Sequence, residues 1–224
     1  MLKKAFPCLD ILPLPQKRLW VELLDTPSAF TLYGGTALAL HLGHRISIDF
    51  DFFSAAAFDP DTLLNTVPFL DGSQIKRVEP NTLTVIVDRG GPVQISFFGL
   101  PWIKRIEEPV MTSDIDLKVA SLIDIAGTKA SVIQKRAEVK DYIDIAALIS
   151  NGITLPRILE AGTAIYGSKF NPMPTLKALA HFDDGNVKTL DQSTRRLLVD
   201  AVAAVDVSRL SHNQPTADTG AHDL

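Results

Sequence analysis

The chain has 224 residues, of which 46% are apolar and 21% are charged, and its formal net charge is −4. A chain of this length and composition can bury a sizeable core, which excludes an intrinsically disordered protein and a disulfide-stabilised miniprotein. Its acidic balance argues against a protein that coats nucleic acid by bulk charge. A single cysteine and the lack of any apolar run of membrane-spanning length predict a cytoplasmic protein outside the membrane.

The first 110 residues alternate short helical and β patterns. Strict alternation over residues 46–53 puts Ser47, Asp49 and Asp51 on one face of a strand. In chain order, the pattern predicts a helix over 14–25, a strand over 30–33, a helix over 36–42, a strand over 46–53, a helix over 59–66, and a hairpin of strands 82–88 and 93–98.

The second half of the chain has a helical pattern. Ser113 and Asp116 have the spacing of a capping box, and a helix is predicted from there to Ile125. Two further helices are predicted over 128–136 and 140–150. We therefore expect an α+β fold with an α+β core in residues 1–110, a helical domain in residues 111–210 and a flexible tail in residues 211–224.

The strand over 46–53 also carries candidate metal ligands. Asp49 and Asp51 are one residue apart, so both carboxylates lie on the same side, about 6–7 Å apart along the strand. Magnesium favours one or two protein carboxylates and leaves its other positions to water and phosphate oxygens. Without a cation the two acids repel each other, and Arg45 would relieve that repulsion. We expect this pair to bind Mg²⁺ or Mn²⁺; the alternative is a solvated acidic edge strand.

The segment Gly34-Gly35-Thr36 lies where a predicted strand turns into a helix. Backbone N–H groups in the first turn of a helix attract anions, and glycine lets an anion come close to the backbone. Neither the dinucleotide-binding fingerprint nor the Walker spacing is present. This turn and the acidic strand together, within residues 34–51, predict a site for a nucleoside triphosphate and a metal ion.

Two blocks of sequence resemble the AbiEii/AbiGii-type abortive-infection toxins, which have a nucleotidyltransferase fold. The first block is Gly34-Gly35-Thr36-Ala37-Leu38 followed by Arg45-Ile46-Ser47-Ile48-Asp49-Phe50-Asp51-Phe52-Phe53. The second, residues 120–129 followed by residues 136–145, is similar to that family's basic and acidic motifs. The resemblance covers roughly residues 30–150. It implies a small mixed sheet with flanking helices, followed by a helical C-terminal half.

The resemblance implies a nucleotidyltransferase that acts as the toxin of a toxin–antitoxin or phage-defence system, with a cognate antitoxin protein as partner. An acceptor hydroxyl, on an RNA such as tRNA, would attack the α-phosphate of a nucleoside triphosphate and expel pyrophosphate. Asp49 and Asp51 would hold magnesium, Lys129 would steady the triphosphate, and Asp141 or Asp144 would orient or deprotonate the acceptor. The implied nucleotide-binding residues are Gly34, Gly35, Thr36, Arg45, Ser47, Arg136 and Lys140.

The basic residues of the second block would share one face of a single helix. If residues 129–144 were one helix, Lys129, Arg136, Lys140 and Asp144 would fall within about 80° of each other. A break near residues 137–139 would change this phase. We expect any bound RNA to follow a local groove lined by Lys129, Lys135, Arg136 and Lys140.

One departure from the family pattern leaves alternatives open. A third carboxylate is common on a later strand, and the position that aligns with it here is Ser96. Three interpretations are open. The two carboxylates of the acidic strand suffice for catalysis, or Asp88 or Glu79 supplies the third carboxylate from another place. In the third, the protein is a nucleotide- or partner-binding module with weak catalysis. A separate alternative is a transition-metal site in which His41 and His44 join the acidic pair.

Overall fold

A mixed β-sheet organises the fold. The structure is a computed structural model that describes residues 6–206 and residue 208. The strands are β1 (Thr31–Tyr33), β2 (Asp49–Ser54), β3 (Gln74–Glu79), β4 (Thr82–Asp88), β5 (Pro92–Gly99), β6 (Val110–Met111) and β7 (Lys118–Val119). Across the described residues they form one seven-stranded sheet in the order β3-β4-β5-β2-β1-β7-β6. β2 is parallel to β5 and β1 to β7, and the other neighbours are antiparallel, which confirms the expected mixed sheet.

The helices flank this sheet and make up most of the C-terminal half, as expected. They are α1 (Leu14–Trp20), α2 (Gly34–Leu42), α3 (Pro60–Thr66), α4 (Leu122–Val132), α5 (Val139–Ser150), α6 (Leu155–Tyr166), α7 (Pro172–Leu179) and α8 (Gln192–Ala203). α2 packs against β2 on one side and against α4 and α5 on the other, so it joins the sheet to the helical half. None of the described helices combines the length and the apolar character needed to cross a bilayer.

The apolar alternation in β2 and β5 fixes which face of the sheet is buried. Phe50 and Phe52 on β2, and Ile95 and Phe97 on β5, are fully buried. Phe52 and Phe97 stack with ring centroids 5.2 Å apart. Burying a side chain of this size contributes about 1.5–3 kcal/mol, so a shift of register by one residue would be costly. The residues between them therefore lie on the opposite face.

The elements of the first half agree with the sequence pattern except at β3. The hairpin of β4 and β5 and the strand-to-helix turn at residues 33–34 are confirmed. β3 was not predicted. All six of its residues are exposed, and a register shift between Ile75 and Arg77 interrupts the alternation from which a strand is recognised.

The helix predicted from Ser113 is wrong. Asp116 has a φ of 51°, which is incompatible with a helix, and residues 118–119 form β7, which pairs with β1. α4 begins only at Leu122, where Ser121 caps it by accepting a hydrogen bond from the backbone N–H of Asp124 at 3.1 Å. The sheet thus continues past residue 110, and the helical half begins at α4. The predicted tail, residues 211–224, lies outside the described residues.

Candidate active site

The two acidic residues of β2 face a cleft of about 480 Å³. β2 pairs in parallel with β5, with Asp49 opposite Gln94 and Asp51 opposite Ser96. Burial raises the pKa of Asp49 against the opposing charges of nearby cations. Burial, and then the charge of Asp49, raises the pKa of Asp51 to about 6. Two partly buried carboxylates on one face are therefore arranged to receive a cation.

The glycine turn packs directly against these acids. Gly34 has a φ of 73°, and a Cβ at this position would lie 2.6 Å from Oδ2 of Asp51. A Cβ on Gly35 would lie 2.5 Å from Nη2 of Arg45 and 3.1 Å from Oγ of Ser47. Glycine is required here because the first turn of α2 has no room for a side chain. The backbone N–H groups of that turn thus lie at the wall of the cleft.

Thr36 has a structural position. Its side chain is buried, and its Oγ1 donates a hydrogen bond of 2.5 Å to the backbone carbonyl of Asp49. This bond ties α2 to the start of β2. Thr36 does not line the cleft, in contrast to Gly34 and Gly35.

The opposite wall of the cleft is basic. It is formed by Lys129 of α4, Lys135 and Arg136 of the linker between α4 and α5, and Lys140 of α5. Together with Arg45, the lining residues that the structure describes carry five basic side chains against two acidic ones. A chain with a net charge of −4 thus presents a local excess of positive charge.

The proposed single helix over 129–144 does not form. α4 ends at Val132 and α5 begins at Val139, so the alternative of a break is the one that the structure shows. The predicted groove residues still converge, because the linker folds back and Arg136 binds α5. Its Nε donates to Oδ2 of Asp141 at 2.8 Å.

Asp141 and Asp144 are fully buried behind the basic wall and do not line the cleft. Nζ of Lys129 lies 2.9 Å from Oδ1 of Asp141 and 2.5 Å from Oδ2 of Asp144. Arg45 donates two hydrogen bonds to Asp144, from Nε to Oδ1 at 2.7 Å and from Nη2 to Oδ2 at 2.8 Å. His44 donates from Nε2 to Oδ1 of the same carboxylate at 2.7 Å. These two carboxylates therefore position cations from three separate elements.

The pKa values of both buried acids reflect this network. Burial opposes the ionisation of Asp144, but hydrogen bonds from His44 and Arg45 and the charge of Lys129 outweigh it and hold its pKa well below the usual range. The pKa of Asp141 is lowered against burial by Arg136 and Lys129. Both acids are ionised at neutral pH.

The histidine alternative for a metal site does not agree with the geometry. His44 binds Asp144, and Nε2 of His41 lies 2.9 Å from the carbonyl oxygen of Ala120. Within residues 6–206, no group of three or more His, Cys, Asp and Glu side chains is arranged to hold a metal ion. The acidic pair of β2 stands without a histidine partner there.

Ser96 occupies the place where a third carboxylate was sought. It lies directly opposite Asp51, and its Oγ accepts a hydrogen bond of 3.3 Å from Oγ1 of Thr84. The substitutes suggested by the sequence lie elsewhere: Asp88 binds the backbone N–H of Gly90 in the hairpin turn, and Glu79 pairs with an arginine on exposed β3. Neither lines the cleft.

Sequence reasoning missed the aromatic part of the cleft. Phe53, Phe98 and Tyr166 also line it, and Gln94 lies opposite Asp49. The period-two pattern could have identified Phe53 and Phe98, because each is two residues beyond a polar cleft residue on its strand. Tyr166 is contributed by α6, and no local signal connects that helix to the sheet.

An uncharacterized protein of Aquifex aeolicus (strain VF5), aq_aa25, is 33% identical over 118 residues, which are 52% of this chain and 55% of that protein. The chain therefore spans about half the length of this curated relative.

Two solved structures share the fold at 15% sequence identity. A candidate nucleotidyltransferase from H. pylori superimposes with a TM-score of 0.57 over 93% of this chain and 98% of its own. MenT4, a nucleotidyltransferase toxin of Mycobacterium tuberculosis H37Rv, superimposes with a TM-score of 0.55 over 88% of this chain and 85% of its own. Both confirm the nucleotidyltransferase fold expected from the sequence.

The family comparison covers most of the chain. Residues 19–206 match the family described as nucleotidyl transferase AbiEii toxin, type IV toxin–antitoxin system. The matched residues include the glycine turn, the acidic strand and the ion pairs around buried Asp141 and Asp144. The match confirms the resemblance drawn from the two motif blocks. The chain belongs to the AbiEii family of nucleotidyl transferase toxins.

Proposed function

We propose that this chain transfers a nucleoside monophosphate from a nucleoside triphosphate to an RNA acceptor, such as a tRNA, with magnesium or manganese as cofactor. The observation that carries the proposal is that two carboxylates, those of Asp49 and Asp51, and a wall of basic side chains line the same cleft. Nucleotidyl transfer needs in-line positioning and neutralisation of phosphate charge more than covalent help from the protein. The cleft offers both.

The phosphates are assigned to the glycine turn and the basic wall. Backbone N–H groups at the start of α2 suit an anion, and Arg45 lies beside them. Nζ of Lys129 donates a hydrogen bond to Asp141 and forms an ion pair with Asp144, and an ammonium has three hydrogens, so one remains for a phosphate oxygen. A lysine held in this way loses little side-chain entropy when the nucleotide binds.

The acidic pair fits a hard divalent cation. Their oxygen donors are those that magnesium prefers, and the raised pKa values of Asp49 and Asp51 show a charge cost that a cation would relieve. Asp49 and Asp51 would hold the ion, and the ion would supply charge neutralisation at the phosphate oxygens. Ser96 would contribute at most a weak neutral ligand.

In the proposed reaction, an RNA hydroxyl oxygen forms a bond to the α-phosphorus while the bond from that phosphorus to the bridging oxygen of the β-phosphate breaks. Pyrophosphate leaves with the electron pair, and the hydroxyl proton passes to solvent. Asp141 and Asp144 are too deeply buried to reach the acceptor, so we assign them the positioning of Lys129, Arg136 and Arg45.

Family membership supports two further parts of the proposal. A toxin of a type IV toxin–antitoxin family is expected to have a cognate antitoxin, and we propose such a protein as a partner. Because the proposed reaction consumes a nucleoside triphosphate and modifies RNA, we place it in the cytoplasm.

The direct test is transfer of label. Purified protein is incubated with Mg²⁺, each α-labelled nucleoside triphosphate in turn, and total bacterial RNA. We expect labelled RNA from at least one nucleotide, and at least about 100-fold less from Asp49→Asn or Asp51→Asn. Asp61→Asn, which alters an exposed acid on α3 outside the cleft, is the matched control. Equal labelling by Asp51→Asn and the wild type would contradict the proposal.

The serine at position 96 favours a second candidate, a nucleotide-binding module that has lost most of its turnover. It predicts nucleotide binding without labelled RNA, and binding that is unaffected by Asp49→Ala. The transferase predicts that both labelling and metal-dependent binding fall in that variant. Calorimetric titration of nucleotide with and without Mg²⁺, beside the labelling assay, separates the two.

A further inference from the structure

Trp102 lies beside the cleft on the loop between β5 and β6. Half of its surface is exposed, whereas Trp20, the other tryptophan, is only 3% exposed. Its ring centroid is 5.7 Å from that of Tyr166, which lines the cleft. Nζ of Lys169 lies 5.7 Å from the centroid of the same ring. An indole, a phenol and an ammonium group thus lie together at the side of the cleft that Tyr166 lines.

The loop that carries Trp102 is anchored to the core. Fully buried Asp124 accepts hydrogen bonds from the backbone N–H groups of Ile106 at 2.9 Å and Glu107 at 3.0 Å, and from Oγ of Ser121 at 2.6 Å. Two of these three bonds, from Ile106 and Glu107, tether the loop to Asp124 at the start of α4. The C-terminal part of the loop is therefore fixed to α4, the helix that carries Lys129, and Trp102 itself contacts Tyr166 and Lys169.

Burial does not explain why an indole stands at this position. An exposed aromatic ring beside a lysine is the arrangement with which proteins hold unpaired nucleic-acid strands: bases stack on the ring and the ammonium group neutralises a phosphate. Lys135, Arg136 and Lys140 add positive charge within the neighbouring cleft.

We propose that the exposed part of Trp102, beside Tyr166 and Lys169, stacks on an unpaired base of the RNA acceptor. The proposal rests on the proposed function, which supplies the RNA. The alternative source of a base is the nucleoside triphosphate. The RNA is favoured because Trp102 lies beyond Tyr166, outside the lining of the cleft that the triphosphate occupies, and a polynucleotide continues past the cleft whereas a single nucleotide ends within it.

The test compares Trp102→Leu and Trp102→Phe with the wild type in two binding titrations. One uses a short fluorescently labelled single-stranded RNA, read by anisotropy; the other uses a nucleoside triphosphate with Mg²⁺. We expect Trp102→Leu to weaken RNA binding about 5- to 150-fold, since that is the range for loss of one stacked base. Trp102→Phe should retain most of the affinity, and nucleotide binding should not change in either variant.

A second RNA probe distinguishes stacking from simple contact. An abasic oligonucleotide of the same length has no base to stack, so the wild type and Trp102→Leu should bind it equally. Equal binding of the normal RNA by these two proteins would overturn the proposal. A loss of nucleotide binding with RNA binding unchanged would also overturn it and would assign the ring to the triphosphate. The titrations measure binding and do not depend on catalysis. A wild-type protein that binds RNA but transfers no label would therefore contradict the proposed function, and the titrations would still decide the role of Trp102.

Discussion

The substitution Asp144→Asn tests whether the buried network holds the cleft together. Asp144 is fully buried; it accepts three hydrogen bonds from His44 and Arg45 and forms an ion pair with Lys129. An amide of the same shape removes the negative charge, and either orientation turns its N–H donors toward Arg45, which can only donate. Arg45 and Lys129 then lose a buried counter-charge.

The expected cost follows from the burial of the partners. Removing one member of a buried ion pair typically costs about 3–5 kcal/mol. The lower end applies here, because Lys129 keeps its contact with Asp141 and the side chain of Arg45 is 16% exposed at the cleft. A loss of about 3 kcal/mol in a chain of this size lowers the melting temperature by roughly 6–12 °C. It also consumes a large share of the ~5–15 kcal/mol by which domains are stable.

Thermal and urea unfolding followed by tryptophan fluorescence measure this loss, and the pH dependence identifies its origin. The pKa of folded Asp144 lies below its usual range, so its stabilising contribution is complete above the unfolded pKa of about 4 and declines as the pH falls below it. The difference between wild type and variant should therefore be constant from pH ~5 to ~8 and should narrow below pH ~4.

The control is Asp10→Asn. Asp10 is fully exposed, and its ion pair with Lys17, at 3.9 Å, lies at the surface, where such pairs contribute little to stability. Its melting temperature should equal that of the wild type. If Asp144→Asn melts within about 2 °C of the wild type, or if its deficit does not change with pH, the ion network does not stabilise the fold and the positioning role argued for Asp144 is wrong.

Three further predictions concern the cleft. Gly35→Ala puts a Cβ 2.5 Å from Nη2 of Arg45, so it should displace that group and weaken nucleotide binding roughly tenfold or more in calorimetric titration. Asp51→Asn should raise the melting temperature of the metal-free protein at neutral pH. The fold raises the pKa of Asp51 to about 6, so ionising this carboxyl costs stability as the pH rises from ~4 through 6. Below pH ~4 the carboxyl is protonated in both states, and the variant and the wild type should melt at the same temperature. Ser96→Asp adds an acid opposite Asp51 and should strengthen Mn²⁺ binding while lowering the melting temperature of the metal-free protein.

Each of these has a result that contradicts it. Wild-type nucleotide affinity in Gly35→Ala would mean that no phosphate approaches this turn. Gly72→Ala, where a Cβ meets nothing within 4 Å but a φ of 67° strains an alanine, controls for a general loss of stability away from the cleft. A metal-free Asp51→Asn protein that melts lower than the wild type at neutral pH would show that Asp51 stabilises the fold. Unchanged Mn²⁺ affinity in Ser96→Asp would place the cation away from β5.

Much of the candidate site was predictable because its signals are local. The alternation of β2 places Asp49 and Asp51 on one face whatever strands lie beside it. A glycine pair before a helix marks, within three residues, a turn whose backbone N–H groups suit an anion. The hairpin of β4 and β5 follows from its turn residues for the same reason. Where the local pattern was interrupted, as at the bulge in β3, or where a capping signal occurred twice, at Ser113 and Ser121, the sequence predicted the wrong element or none.

The roles of Asp141 and Asp144 depended on contacts that no local pattern contains. Arg45 and Asp144 are 99 residues apart in the chain. The break between α4 and α5 also means that residues 129–144 do not share one helix face, so helical spacing could not place Asp141 and Asp144. Sequence by itself determined which side chains share a strand face or a turn, because backbone geometry repeats over a few residues. Only the tertiary structure decided which charges are buried, which cations neutralise them and that Trp102 stands beside the cleft, because burial and ion pairing arise when distant segments exclude water together.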